Sequence, residues 1–267
     1  DMLRISNNRI TVADYVQAGS FGGPLQRDLG LYVVAHDTAG RDARSTVQYL
    51  NRNVKASYHV VIHRDGGMTQ LVSLACQAHH AGRSALPDKP WVHALNRCSF
   101  GIAFDSPGRL DANGAAWFGE RYTDIVADEN GALWRAYTDE QLRTFETLIE
   151  TLDYQYDLAG VYSHRDVAVP AGRKDDTSPV IDGFLRAMHH RVEDKSNDMP
   201  PPERGVVNAA GGLNLRAEPG RHGRIIETMP MLTPLNIDPP ALANGYVMVT
   251  TDDGETGWAH SNYIQGA

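Results

Sequence analysis

The chain has 267 residues, 42% of them hydrophobic and 22% charged, with a formal net charge of -8 and a pI near 5.7. That length exceeds the usual single-domain size and predicts two domains, the larger able to bury a substantial core. The acidic balance gives no basic footprint for nucleic acid and no polycationic face for an anionic membrane.

No run is apolar and long enough for a transmembrane helix, and the N-terminus lacks the charged, apolar and small-residue order of a secretory signal. The Asp1-Met2 start suggests a trimmed or engineered beginning, so a removed signal stays open. Cys76 and Cys98 are too few for a disulfide scaffold and are not at zinc-motif spacing. They read as two buried thiols, or secondarily as one disulfide.

The first thirty residues mix short apolar runs with glycine and proline, an irregular lead-in with at most one edge strand. Leu31 to Ala35 is a continuous apolar run, as for a strand covered on both faces, and it ends at His36-Asp37-Thr38. Ala43 to Asn53 has helical spacing, with Ser45 as the early cap. Tyr58 to His63 and Met68 to Leu74 form a hairpin around Arg64-Asp-Gly-Gly67. Ser99 to Asp105 is a short strand. Pro107 to Leu133 is long, glycine-rich and poorly periodic, which marks a functional or mobile connection.

Thr138-Asp-Glu-Gln141 is a capping box opening a helix that runs to Asp157. Val161-Tyr162 is a brief strand leading into His164, and Ile181 to Val192 is a short amphipathic helix. Residues 194–205 are charged and proline-rich, a stiff linker between a domain at 1–193 and another at 206–267. Beyond it, short apolar runs near residues 213–216, 225–226, 235–237, 246–249 and 257–259 have the spacing of a small all-β barrel.

The segment from His164 to Asp176 packs a histidine, Lys174 and two carboxylates into a loop broken by proline and glycine. With His36 from a distant strand end, His164 and Asp176 make two imidazoles and a carboxylate, a zinc set that leaves a fourth tetrahedral position for water. Eleven histidines make such a triple easy to find by chance. A solvated loop closed by a salt bridge fits the same residues.

A series of ordered motifs now bears on the choice. They are Val33-Val-Ala-His36, Tyr58-His-Val-Val-Ile-His-Arg-Asp-Gly66, His80-Ala-Gly-Arg-Ser84, Asn96 with Ser99-Phe-Gly-Ile102, His164, and Lys174-Asp-Asp176. Together they resemble the zinc-dependent N-acetylmuramoyl-L-alanine amidases of the type 2 class, the family of T7 lysozyme and the peptidoglycan recognition proteins. The resemblance implies an α/β mixed-sheet amidase domain with flanking helices. It implies Zn2+ held by His36, His164 and Asp176, catalytic roles for Lys174 and Tyr58, and His80 and Asn96 in the substrate groove. The implied reaction is hydrolysis of the amide between N-acetylmuramic acid and L-alanine, with peptidoglycan or muropeptides as partners and a place in the cell envelope (periplasm) or outside the cell.

Two departures stand out. Bacterial members that recycle wall fragments carry a glutamate base after the Gly-Ile pair, where this chain has Ala103, which cannot accept a proton. Asp105 shares that strand face but lies roughly 7 Å further along. The loop around Val169-Pro-Ala171 is expanded relative to the family, which leaves Asp175 and Asp176 both open as the third ligand. The alternative to an active enzyme is a non-catalytic peptidoglycan receptor.

The C-terminal segment is similar to bacterial SH3-like wall modules, from Leu213-Asn-Leu-Arg-Ala-Glu-Pro-Gly220 to Asp253-Gly-Glu-Thr-Gly-Trp258 and Tyr263-Ile264. That likeness implies attachment to peptidoglycan, or a packing role alone.

Overall fold

The computed structural model describes residues 3–52, 54–193, 203–243 and 245–266. The chain forms two compact units, residues 1–193 and 194–267. Most of the expected linker, residues 194–202, lies outside the described residues. Glu203, Arg204 and Gly205 are already in a strand, their backbone paired with Ile237, Asn236 and Leu235.

The first unit runs β1 (Ile5–Ser6), β2 (Arg9–Ile10), β3 (Asp14–Tyr15), β4 (Leu31–Asp37), α1 (Ala43–Leu50), β5 (Val60–Ile62), β6 (Met68–Gln70), β7 (Ser99–Phe104), β8 (Arg109–Leu110), β9 (Ile125–Ala127), β10 (Leu133–Arg135), α2 (Asp139–Tyr156), β11 (Leu158–Ser163), α3 (His164–Val167) and α4 (Asp182–Glu193). Six strands make one mixed sheet in the order β11-β4-β7-β5-β6-β3. Its centre is parallel, β4 lying between β11 and β7, and the β5–β6 hairpin is antiparallel.

All seven residues of β4 and all six of β7 are buried, as unbroken apolar runs covered on both faces require. Alternation sorts their side chains. Leu31, Val33 and Ala35 join Phe100, Ile102 and Phe104 in a core shared with Phe145, Leu148 and Leu152 of α2 and with Leu185 and Met188 of α4. Tyr32 and Val34 face the other way, against Leu86, Val92 and Leu95. His36 continues that second set, so β4 delivers it to the face opposite α2.

α2 starts at the expected capping box: the Thr138 side chain accepts from Gln141 N–H, and Gln141 returns a bond to Thr138 N–H. In α1 the cap is Asp42, not Ser45; Asp42 Oδ1 accepts the Ser45 N–H at 2.7 Å, and the helix ends at Leu50. Asp42 stands one residue before the helix, and its carboxylate reaches an otherwise unpaired N–H.

The stretch expected to be a loose connection is a three-stranded sheet, β8-β10-β9, with its own small core of Leu110, Ala116 and Tyr122. Two Asp-x-Asn-Gly turns build it. Asp111 Oδ1 accepts the N–H groups of Asn113 and Ala115, and Asp128 Oδ1 those of Asn130 and Ala132. Gly114 and Gly131 take φ of 74° and 77°, where a side chain would be strained.

The second unit is all β: β12 (Glu203–Val207), β13 (Leu213–Arg216), β14 (Ile225–Met229), β15 (Pro234–Ala243), β16 (Tyr246–Thr251), β17 (Thr256–His260) and β18 (Ile264–Gly266) form one seven-stranded sheet. Val207, Leu213, Leu215, Met229, Leu235, Val249 and Ala259 are its core. Cys76 and Cys98 are free thiols. Among the described residues no helix is long and apolar enough to cross a membrane.

Candidate metal centre

β4 and β11 are parallel neighbours with Ala35 paired to Ser163, so His36 and His164 leave adjacent strands at the same end. His164 opens the one-turn α3. That turn is capped by Ser163, whose Oγ accepts the Asp166 N–H while Asp166 Oδ2 accepts the Ser163 N–H. The loop carrying Asp176 is tied back to α3. Arg165 donates its backbone N–H to Asp176 O and its guanidinium to Thr177 O, both at 2.7 Å.

These ties bring three atoms together. His36 Nδ1 lies 3.1 Å from His164 Nδ1 and 3.1 Å from Asp176 Oδ2, and His164 Nδ1 lies 3.0 Å from each Asp176 oxygen. The outer ring nitrogens identify the tautomers. His164 Nε2 is 3.2 Å from Ala81 O, which can only accept, so the proton is on Nε2. His80 Nε2 faces Ser99 O at 3.3 Å, so His80 also carries its proton there, and its Nδ1 accepts from His36 Nε2 at 2.9 Å. Both Nδ1 atoms therefore present lone pairs.

Two lone pairs and a carboxylate at this spacing repel one another unless a cation joins them. A tetrahedral zinc with bonds of ~2.0–2.1 Å has ligand-to-ligand edges of ~3.3 Å, close to the spacing seen. The donor set and its dimensions thus fit the ion, with His36, His164 and Asp176 as ligands. His36 and His164 are 1% and 3% exposed. Burial, the largest influence, lowers His36 to about 4 and keeps it neutral.

The centre opens into a cleft lined by Asp37, Tyr58, His80, Arg109, Trp117, Trp134, Lys174 and Asp175, among others. Tyr58 packs its ring 5.1 Å from that of His36. Burial first, and then the carboxylates of Asp176 and Asp37, raise its phenol pKa, so the hydroxyl stays protonated. Lys174 is exposed at the cleft wall, and its charge is among the influences that lower His36. Asp175 points to solvent and Asp176 to the centre, which separates the two candidates. A second concavity, between β11 and α4, holds no comparable cluster among the described residues.

His80 lines the cleft but is only 8% exposed, and its Nδ1 is turned to His36. Asn96 does not line the cleft. Its Oδ1 accepts the backbone N–H groups of His80 and Ala81 at 3.0 and 2.7 Å. Ala103 pairs with His36 across β4 and β7, and Asp105 is turned away from the cleft lining.

Asp37, in the polar cluster at the end of β4, pairs with Tyr137, which no motif marks. Asp37 Oδ1 accepts from the Tyr137 hydroxyl at 2.7 Å, and that hydroxyl accepts the Ser178 N–H at 3.1 Å. Burial pushes the Asp37 carboxyl up to about 7, against the Tyr137 hydrogen bond. Adjacency to His36 was the signal for Asp37. Tyr137 gave none, since 100 residues separate the pair.

Fold and site together define a mixed α/β domain whose two histidines and one aspartate could hold a metal ion. The family of N-acetylmuramoyl-L-alanine amidases matches residues 28–179, more than half of the chain, and the chain belongs to that family. Residues 211–265 match the bacterial SH3 domain family. A comparison with curated protein sequences returned no match.

Among solved structures, the chain is similar to a selenomethionine derivative of AmpD, with 20% identity, 70% of this chain and 99% of that chain covered, and a TM-score of 0.48. It is also similar to the amidase AmiD from E. coli in complex with anhydro-N-acetylmuramic acid-L-Ala-D-gamma-Glu-L-Lys, with 21% identity, 62% and 65% coverage and a TM-score of 0.46. Drosophila peptidoglycan recognition protein SD gives 18%, 63% and 93%, and 0.38. The family assignment rests on the domain match and not on these likenesses.

Proposed function

We propose that the chain is a zinc-dependent N-acetylmuramoyl-L-alanine amidase, hydrolysing the amide between the lactyl group of N-acetylmuramic acid and the L-alanine of the stem peptide. One observation carries the reading. The lone pairs of His36, His164 and Asp176 meet at 3.0–3.1 Å in a cleft that also holds Tyr58 and Lys174, inside the stretch that matches the amidase family.

Zinc bound there supplies a Lewis acid and brings a water to a pKa of ~7. Lys174 places a positive charge at the wall of the cleft, where the amide oxygen becomes an oxyanion. Tyr58, fixed as an O–H donor, orients that oxygen or the attacking water. Burial keeps His36 neutral across the working range, so its lone pair is not lost to a proton. The second unit holds the enzyme on peptidoglycan, which places it in the cell envelope (periplasm) or outside the cell.

Incubation with a defined muropeptide tests the reading. Release of a peptide with a free L-alanine amine, abolished in His36→Ala, is expected. Ala103 favours the second reading, a receptor that keeps the groove without chemistry; binding of the muropeptide with no zinc-dependent cleavage would select it.

A further inference from the structure

We propose that His80-Ala81, clamped by Asn96 and seated on Gly101, is a template that holds both liganding imidazoles in the Nε2–H form and aims both Nδ1 lone pairs at the ion. This rests on the metal reading above and assigns positioning roles to residues outside the set of three that would hold the ion.

Two consecutive residues serve the two imidazoles. His80 Nδ1 lies 2.9 Å from His36 Nε2, and Ala81 O lies 3.2 Å from His164 Nε2. Each is an acceptor, so each fixes a proton on the outer nitrogen. The His80 acceptor is itself fixed. Its Nε2–H faces Ser99 O and Ser99 Oγ, both at 3.3 Å, and that hydroxyl spends its own proton on Leu95 O at 2.6 Å. Ser99 Oγ can then only accept, which leaves His80 Nδ1 as a lone pair.

One side chain clamps both acceptors. Asn96 Oδ1 takes the N–H groups of His80 and Ala81 together, so neither residue shifts without the other.

Gly101 completes the device. A Cβ at that position would lie 2.4 Å from His80 Cγ and 2.7 Å from its Nδ1. The strand cannot give way, because Gly101 is paired with Val34 and donates its N–H to His59 Nδ1 at 3.0 Å. The backbone here is not at positive φ, so the requirement for glycine is space for the imidazole. Unanchored, a ligand imidazole divides its population between tautomers and ring orientations. Loss of such partners costs about 10- to 100-fold in metal affinity.

The experiment uses the full chain and zinc itself. Zinc affinity is measured by competition with a chromogenic chelator for wild type, Gly101→Ala, His80→Leu and His80→Asn. Val92→Ala, a cavity on the same face of the sheet, controls for lost stability alone. Histidine tautomers of the metal-free wild type are read at pH 8 from long-range proton–nitrogen NMR spectra.

Gly101→Ala and His80→Leu are expected to weaken zinc binding about 10- to 100-fold. His80→Asn, whose Oδ1 replaces Nδ1 as acceptor, recovers most of the loss, and Val92→Ala binds as wild type does. The NMR spectra should show His36 and His164 protonated on Nε2. Tight binding by wild type with unchanged affinity in Gly101→Ala and His80→Leu overturns the template alone, as do Nδ1–H tautomers in wild type. Wild type that binds no zinc overturns the metal reading and the template with it.

Discussion

The Tyr137 hydroxyl binds Asp37 Oδ1 at 2.7 Å and at the same time accepts the Ser178 N–H at 3.1 Å. It therefore joins the end of β4, one residue past His36, to the loop two residues past Asp176. The bridge thus ties together the segments that carry His36 and Asp176, two of the residues proposed to hold zinc. Tyr137→Phe leaves the Asp37 carboxyl and the Ser178 N–H without their partner and should destabilise the protein by about 1–3 kcal/mol. Urea unfolding reads that loss, and chelator competition should show weaker zinc binding alongside it. Unchanged zinc affinity would mean that other contacts set the spacing.

His59 gives a pH test away from the ligands. It is fully buried, its Nδ1 accepts the Gly101 N–H, and its Nε2 donates to Cys76 O. Burial, opposed by the bond to Cys76, lowers it from 6.5 to about 4. Because the folded pKa is depressed, its stabilisation is complete above pH 6.5 and is lost as pH falls toward 4. The stability of metal-free wild type minus that of His59→Gln should decline by about 1.4 kcal/mol per pH unit across that window, about 3 kcal/mol in all. A pH-independent difference would show that His59 has the same pKa folded as unfolded.

Lys174 is exposed at the cleft and outside the ligand set. Lys174→Met should lower kcat by about 10²- to 10³-fold, the usual cost of an oxyanion donor, while zinc affinity stays within about twofold. Steady-state kinetics beside zinc titration separates the two effects. A kcat within a few-fold of wild type would remove Lys174 from the mechanism.

The three-stranded sheet carries Arg109, Trp117 and Trp134 to the cleft. Asp128 organises its second turn and also accepts the Trp134 indole N–H at 3.1 Å. Asp128→Ala should raise KM several-fold with little change in kcat, since it loosens the wall and leaves the centre intact. A change in kcat alone would contradict that division.

Runs of apolar residues made β4, β7 and α2 legible in the sequence, because burial on both faces and a capping box leave local signatures. The same holds for His36 and His164 at strand ends. Asp175 and Asp176 were not separable, since the choice depends on Arg165 holding the backbone of 176 from the far side of the loop. The sheet over 109–135 leaves little local signal, because its strands are only two or three residues long and show no period. Its two Asp-x-Asn-Gly turns were the readable signal. The bonds that Asn96 Oδ1 accepts from the His80 and Ala81 N–H groups, and the contact between the His36 and His80 ring nitrogens, join residues far apart in sequence and leave no local pattern.

Mass analysis of the products from a defined muropeptide, after zinc is removed and then restored, tests the zinc dependence and the bond cut together. With chelator no cleavage is expected. On addition of zinc the expected products are a peptide beginning with a free L-alanine amine and a sugar that retains its lactyl carboxylate. Cleavage undiminished by chelator, or a cut at any other bond, would contradict the proposed function.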